Sequence, residues 1–316
     1  MQDWKKLTRQ FNFLLFDGFS NHCLANSVEP LRAANTLSRQ ALYAWRFYSP
    51  DGQAVHSSSG LQVTPHGALG KESGDVLVVM PSYGFLGLDT APISRALRAA
   101  AKRHAILAGL DTGSWLLARA GLLDDRRATI HWDELSRFEE TFPNIDAVQE
   151  RFVIDGNRIT CSGAMAAFDL ADALIRADHG PLLSMEVAHL LMTRGTPQSY
   201  ALPMKSEDTL VNRVLGIMQS TIESPIRIQD IARRLGCSQK KIETRVQSEL
   251  GTTPRALYRR LRLNLARKLT TETDQSVAEI ASRCGYDNAS AMTRAFRAEF
   301  GQTPTAFRVQ ATSAHS

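Results

Sequence analysis

The sequence predicts an α/β three-layer sandwich with a largely parallel sheet, followed by an all-α domain with two helix-turn-helix motifs. Across residues 1–192, short β-rich runs alternate with helix-period stretches, the pattern of a sheet covered on both faces. In residues 209–316 a helical block repeats itself: IQDIARRLG at 228–236 returns as VAEIASRCG at 277–285, an offset of 49. Charge divides the chain at the same place. Residues 1–206 hold 20 basic and 21 acidic side chains, net −1, whereas residues 207–316 hold 17 and 11, net +6.

A chain of 316 residues suits two domains. Its 43% hydrophobic and 22% charged content excludes a disordered or collagen-like polymer. No run approaches the ~18 apolar residues of a membrane span. The first apolar run, FNFLLF, stops at Asp17 with no small-residue cleavage site after it, so no signal peptide is expected. Cys23, Cys161, Cys237 and Cys284 show no Cys-x-x-Cys spacing. That argues against a disulfide framework or a zinc site and fits a reducing cytoplasm; no cofactor and no metal are expected.

In chain order, the expected strands are 11–16, 45–49, 75–80, 104–110, 127–131, 151–155 and 158–162. Helix-period stretches lie at 23–39, 92–102, 113–120, 133–140 and 164–178. Several strand runs are apolar at every position, as burial on both faces requires. HAILAGL (104–110) runs through Asp111-Thr112-Gly113 straight into a helix. Such an elbow exposes its turn residue at the carboxyl edge of the sheet, where open α/β sheets bind ligands. Asp111 either meets a ligand there or caps the helix that follows. A carboxylate with Trp115, His131 and Trp132 nearby suits an ammonium or guanidinium group, and Thr112, Ser114 and the elbow amides could hold a carboxylate. Trp115, a helix tryptophan, reads more readily as core, His131 is equally readable as a buried core histidine, and Cys161 as a small buried hydrophobe. A segment rich in Pro, Gly and small polar residues, 193–208, reads as a linker.

The blocks AGLLDDRRATIHW, VEPLRAAN and DLADALIRADHG make residues 10–192 resemble the class I glutamine amidotransferase-like domain of the ThiJ/PfpI superfamily, in the version fused to AraC-type regulators. Enzymes of that superfamily carry a Cys at the elbow, a Glu near the first strand, and often a His. Here those positions look like Asp111, Ser20 and His131. A carboxylate cannot supply thiolate nucleophilicity. The resemblance therefore implies a catalytically silent domain reused as a sensor, with Ser20 joining the ligand site. The subgroup's members often answer to amino acids or quaternary amines such as arginine, betaine or carnitine.

The internal repeat is the stronger signal. Each copy has an amphipathic helix, a turn glycine (Gly236, Gly285), a second helix, and similar endings, SELGTTPRAL and AEFGQTPTAF. The pair resembles the AraC/XylS DNA-binding domain over residues 210–308. Ala291-Met292 departs from the family's usual larger residue and Phe. The first reading helix is expected to present Ser238, Gln239, Lys240, Lys241, Thr244 and Arg245. The second is expected to present Asn288, Ser290, Thr293, Arg294 and Arg297. Arg245 and Arg294 are expected at corresponding depths. The helix between the units is expected to lay Arg259, Arg260, Arg262 and Arg267 on phosphates. Residues 233–268 hold 11 basic and two acidic side chains, a polyanion footprint or a solvated helix face.

The resemblance implies a non-enzymatic activator of catabolic genes that binds promoter DNA and RNA polymerase, dimerises through its first domain, and answers a small amine or amino-acid-like effector. An enzyme tethered to DNA, or a constitutive DNA binder whose first domain only dimerises, are the alternatives.

Overall fold

The computed structural model describes residues 8–192 and 208–313. The chain forms two compact units, divided after Asp178. The linker expected at 193–208 lies, but for residue 208, outside the described residues.

The first unit runs β1 (Arg9–Leu15), α1 (Asn21–Ser38), β2 (Tyr43–Tyr48), β3 (Val55–His56), β4 (Gln62–Val63), β5 (Gly74–Met80), α2 (Ala91–Ala101), β6 (His104–Leu110), α3 (Gly113–Arg119), β7 (Arg127–Ala128), α4 (Leu135–Thr141), β8 (Asp146–Ala147), β9 (Phe152–Asp155), β10 (Arg158–Cys161) and α5 (Ala164–His179). Six strands make the main sheet in the order β2-β1-β5-β6-β10-β9. All neighbours are parallel except β9 and β10. Parallel neighbours need crossovers, and α1, α2 and α3 lie in the connections.

Alternate strand residues serve two cores, as the pleat demands. Leu14, Leu77, Val79 and Leu107 pack with Leu97, Leu116, Leu117 and Phe138. Phe11, Phe13, Val76, Val78 and Ala108 meet Leu31 of α1 and Ala167 and Leu170 of α5 around a small apolar void of about 30 Å³. That is the expected three-layer sandwich. One expected strand is corrected. Of residues 127–131, only Arg127–Ala128 is a strand, and it pairs with β8 away from the main sheet. Thr129 instead donates its amide to Thr160 Oγ1 at 2.8 Å.

The second unit begins with α6 (Pro181–Met192), which the compact division places here rather than with the first domain. It continues with α7 (Thr209–Ser220), α8 (Ile228–Arg234), α9 (Gln239–Leu250), α10 (Pro254–Glu272), α11 (Val277–Arg283), α12 (Ala289–Phe300) and α13 (Pro304–Ser313). Helix starts follow side-chain caps: Asp208, Ser238, Thr253, Ser276 and Asn288 each accept a backbone amide of the helix they open. Each such cap is worth roughly 1 kcal/mol. α9 and α12 both end on a left-handed glycine, Gly251 and Gly301.

Two apolar cores result. One gathers Val211, Val214, Ile231, Ile242, Val246 and Leu257, with Met185 of α6. The other gathers Leu263, Leu269, Ile280, Met292 and Phe296. Met292, the departure from the expected pattern, is fully buried. Gly285 is required twice over. Its φ is 67°, and a Cβ there would sit 2.4 Å from the carbonyl oxygen of Ile222.

Candidate functional site

The elbow is built by close approach. A Cβ on Gly109 would lie 2.7 Å from the Ser114 amide, and one on Gly113 would lie 2.0 Å from the Val79 carbonyl oxygen. Only glycine lets β6 turn this sharply into α3. Asp111 at the turn is left-handed, with φ 61°. Its backbone is held on both sides: its amide donates to Cys161 O at 2.9 Å, and the His131 amide donates to Asp111 O at 3.0 Å. The helix following it has Thr112 at its N-cap position and no side-chain cap. Asp111 is therefore not the cap. Its Oδ2 accepts from Ser82 Oγ at 2.9 Å, and Ser82 itself has φ 57°. Burial holds the Asp111 carboxyl above the ordinary carboxylate range, while the Ser82 hydrogen bond and His131 pull it back.

Three loops meet at this carboxyl group. One carries Ser82 and Tyr83, and Tyr83 also abuts Gly18. Another carries His131 and Trp132, with rings 5.6 Å apart. The third carries Gly163, which faces the His131 ring, and Met165 follows in the first turn of α5. Tyr83, Trp132 and Met165 are exposed, with Tyr83 and Trp132 at 69%. Sequence reading missed Ser82, the side chain bonded to Asp111. The positive φ of Ser82, invisible in composition, is what aims its hydroxyl at Asp111.

The expected ligand residues divide. Asp111, Thr112, His131 and Trp132 gather here, with Thr112 Oγ1 donating to Ser82 O at 2.7 Å. Ser114 is corrected: it is fully buried and donates to Thr129 O at 2.7 Å. Trp115 is corrected likewise. It is 3% exposed, donates Nε1 to Asp89 Oδ2 at 3.0 Å, and packs edge-on against Phe85 and Phe142. Both follow the elbow in sequence, but the helix turns them into the core. Ser20 caps α1 by accepting the Cys23 amide at 3.2 Å. Burial pushes the Cys161 thiol up to about 12, and burial, then Cys161 and Asp111, raise the Cys23 thiol well above its ordinary value.

In the second unit, α9 buries Ile242, Val246 and Leu250, and α12 buries Met292, Phe296 and Phe300. Their caps, Ser238 and Asn288, agree with that alignment, which makes the helix offset 50 where the preceding helices repeat at 49. The second turn is one residue longer. The expected depth match is thereby corrected: Arg294 corresponds to Thr244, and Arg245 corresponds to Ala295. Thr244 and Arg294 each sit two residues from two buried positions, opposite the packed side. Lys240, Lys241, Thr244, Ser290, Arg294 and Arg297 are exposed. Thr293 is half-buried, and Gln239 Nε2 donates to Glu243. Ser238 and Asn288 use their side chains as caps. Arg245 lies on the flank, 3.5 Å from Asp208.

The spacer helix α10, 19 residues, spans roughly 28 Å. Three of its four expected phosphate contacts are engaged within the protein. Arg260 makes a two-pronged bond to Glu186 at 2.6 and 2.7 Å. Arg262 donates to Cys284 O and Gly285 O and stacks over Tyr286. Arg267 lies over the Phe300 ring. Among the described residues, no helix is long and apolar enough to cross a membrane, and no side-chain group could hold a metal ion.

Residues 12–177 match the DJ-1/PfpI family, closely the extent of the first unit, and residues 231–310 match a helix-turn-helix domain. The chain is 36% identical over 307 residues to the HTH-type transcriptional regulator CdhR of Pseudomonas aeruginosa, covering 95% of this chain and 91% of that one. It is 34% identical to GbdR of the same species, covering 94% and 83%. It is 32% identical to GlxA of Rhizobium meliloti, covering 95% of each. A crystal structure of an AraC family transcriptional regulator from Pseudomonas putida aligns with TM-score 0.52 at 27% identity, over 58% of this chain and 99% of that one. A ThiJ/PfpI family protein from Pseudomonas syringae shares the fold, with TM-score 0.52 at 20% identity over 67% and 86%. With a DJ-1/PfpI sandwich, a doubled helix-turn-helix unit and such relatives along nearly its whole length, the chain belongs to the AraC-type, DNA-binding transcriptional regulators that carry a DJ-1/PfpI domain.

Proposed function

We propose that the chain is a ligand-responsive activator that binds promoter DNA through α9 and α12 and is set by a small amine or amino-acid-like effector held at Asp111. One observation carries the effector class. The Asp111 carboxyl is buried, and among the described residues it receives one side-chain hydrogen bond, from Ser82. A carboxylate so placed favours a cationic partner. Trp132 and Tyr83 supply aromatic faces that attract ammonium groups. The reading excludes catalysis, because desolvated Cys23 and Cys161 thiols are poor nucleophiles and the elbow holds a carboxyl group.

The effector acts by linkage: it favours the chain's DNA- and polymerase-competent state by its difference in affinity between states. The active species is a cytoplasmic homodimer. Thermal-shift screening of the intact protein with amines and amino acids identifies the effector. Asp111→Asn is then expected to weaken it by about 1.5–3 kcal/mol, roughly 10- to 100-fold. Unchanged affinity in calorimetry would remove the charge-pairing account. A DNA footprint that no amine alters would favour the constitutive alternative.

A further inference from the structure

Beside the first residue of α9, the second unit has a cleft of about 490 Å³ lined by Arg227, Gln229, Gln239, Arg255, Arg259 and Arg262, with no carboxylate in its walls. Arg262 spends its donors on the Cys284 and Gly285 carbonyls. The guanidinium groups of Arg227, Arg255 and Arg259 have no hydrogen-bond or ion-pair partner among the described residues, and all three are exposed. Like charges gathered without counter-charge repel one another, so the arrangement is stabilised by an anion. Guanidinium forks match phosphate oxygens in geometry as well as charge.

The repeat makes the cleft more telling. At the offset of 49, Arg227 corresponds to Ser276, and at the offset of 50, Arg255 and Arg259 correspond to Thr305 and Val309. Ser276 is occupied as the cap of α11. Of the remaining wall residues, Tyr258 corresponds to Arg308, whose donors go to Thr270 O and Gln275 O. The second helix-turn-helix unit therefore lacks this group of free arginines, although its reading helix carries Arg294 and Arg297.

We infer that Arg227, Arg255 and Arg259 form a seat for a backbone phosphodiester of duplex DNA, present in the first helix-turn-helix unit and absent from the second. The inference rests on the DNA-binding reading above and makes the two units unequal. The first grips the backbone beside its reading helix, which gives affinity without sequence information. The second contributes through its helix face. Phosphate contacts position a protein on DNA, while base contacts specify the sequence.

The test uses the full chain and a mixed-sequence 30-base-pair duplex, with affinity read by fluorescence anisotropy across a salt series. Removing a phosphate contact lowers the salt slope of log K by about 0.9. Arg255→Ala with Arg259→Ala is expected to lower it by about 1 to 2. The corresponding pair Thr305→Ala with Val309→Ala is expected to leave it unchanged. Circular dichroism checks that both variants stay folded, and Arg227→Ala, outside every helix, provides a second approach. If the parent binds and the arginine variants keep its slope and affinity, the seat is wrong while the DNA-binding reading stands. An equal loss from the Thr305/Val309 pair overturns the asymmetry. If inorganic phosphate raises the parent's melting temperature, but not the variant's, and the DNA slope is unchanged, the cleft takes a small anion instead. A parent that binds no duplex overturns the reading on which the seat depends.

Discussion

His104 carries its proton on one ring nitrogen for a reason visible in its neighbours. Nδ1 lies 2.9 Å from the Ala100 carbonyl oxygen, so that nitrogen holds the hydrogen. Nε2 lies 2.9 Å from Asn12 Nδ2, which donates to it. A second proton would set two N–H groups against each other. Burial is the main cause that lowers the His104 pKa, with Arg103 adding to it. The unfolded chain, with its histidine near 6.5, then takes up more protons than the folded one as pH falls through that value. Stability from His104 is full above about 6.5 and is lost as pH drops toward the lower folded value. His104→Gln, which cannot titrate, is expected to lose less stability than the parent between pH 7.5 and 5 in urea unfolding; equal losses would refute the assignment. Residue chemistry was legible in the sequence where a position is forced, as at Asp111. It was not legible where orientation decides. Ser114 and Trp115 are one helical turn from Asp111, yet both point into the core.

At the scale of elements, the repeat announced two helix-turn-helix units, and the apolar spacing located both reading helices. Their relative register was missed although the endings SELGTTPRAL at 248 and AEFGQTPTAF at 298 stand 50 apart, because the preceding helices repeat at 49 and the inserted residue lies in the turn after Gly285. The caps Ser238 and Asn288 resolve it. The consequence is functional. Arg294 projects opposite the face that buries Met292 and Phe296, while Arg245 leans toward Asp208. Arg294→Ala is therefore expected to cost about 1–3 kcal/mol of specific binding and to relax preference at one base pair. Arg245→Ala is expected to change preference less. Selection of bound sequences from a random duplex pool, at fixed salt, measures both; a larger loss of preference for Arg245→Ala would reverse the assignment. The basic face of α10 misled for a similar reason. Charge counts cannot tell an arginine aimed at solvent from one, such as Arg262, that closes the carbonyl end of α11.

For the molecule as a whole, the telling element is α6. PLLSMEVAHLLM is apolar nearly all round, which marks a buried helix but not the unit that buries it. Ending the first domain at 192 rested on the linker-like composition that follows. The structure moves the division to Asp178, and the DJ-1/PfpI match ends at 177. Packing explains why. Met185 joins the core of the second unit, and Glu186, with its side chain 4% exposed, binds both Arg260 and Asn264 of α10. Removing α6 takes away Met185 and Glu186, leaves Arg260 with its 3.9 Å contact to Glu299, and strips Asn264 of this acceptor. A fragment of residues 180–316 is therefore expected to melt higher than one of residues 208–316. In the intact chain, Glu186→Ala is expected to destabilise the second unit by roughly 2–3 kcal/mol, since hydrogen bonds to charged groups are the costly ones to lose. Differential scanning calorimetry separates the cases. A lowered transition shared with the 180–316 fragment places α6 with the DNA-binding unit, whereas a shift confined to the first unit's transition would return it to the sandwich. The chain reaches α6 straight from α5, with Gly180 between them. The last helix of the first domain is thus tied covalently to a helix hydrogen-bonded to α10.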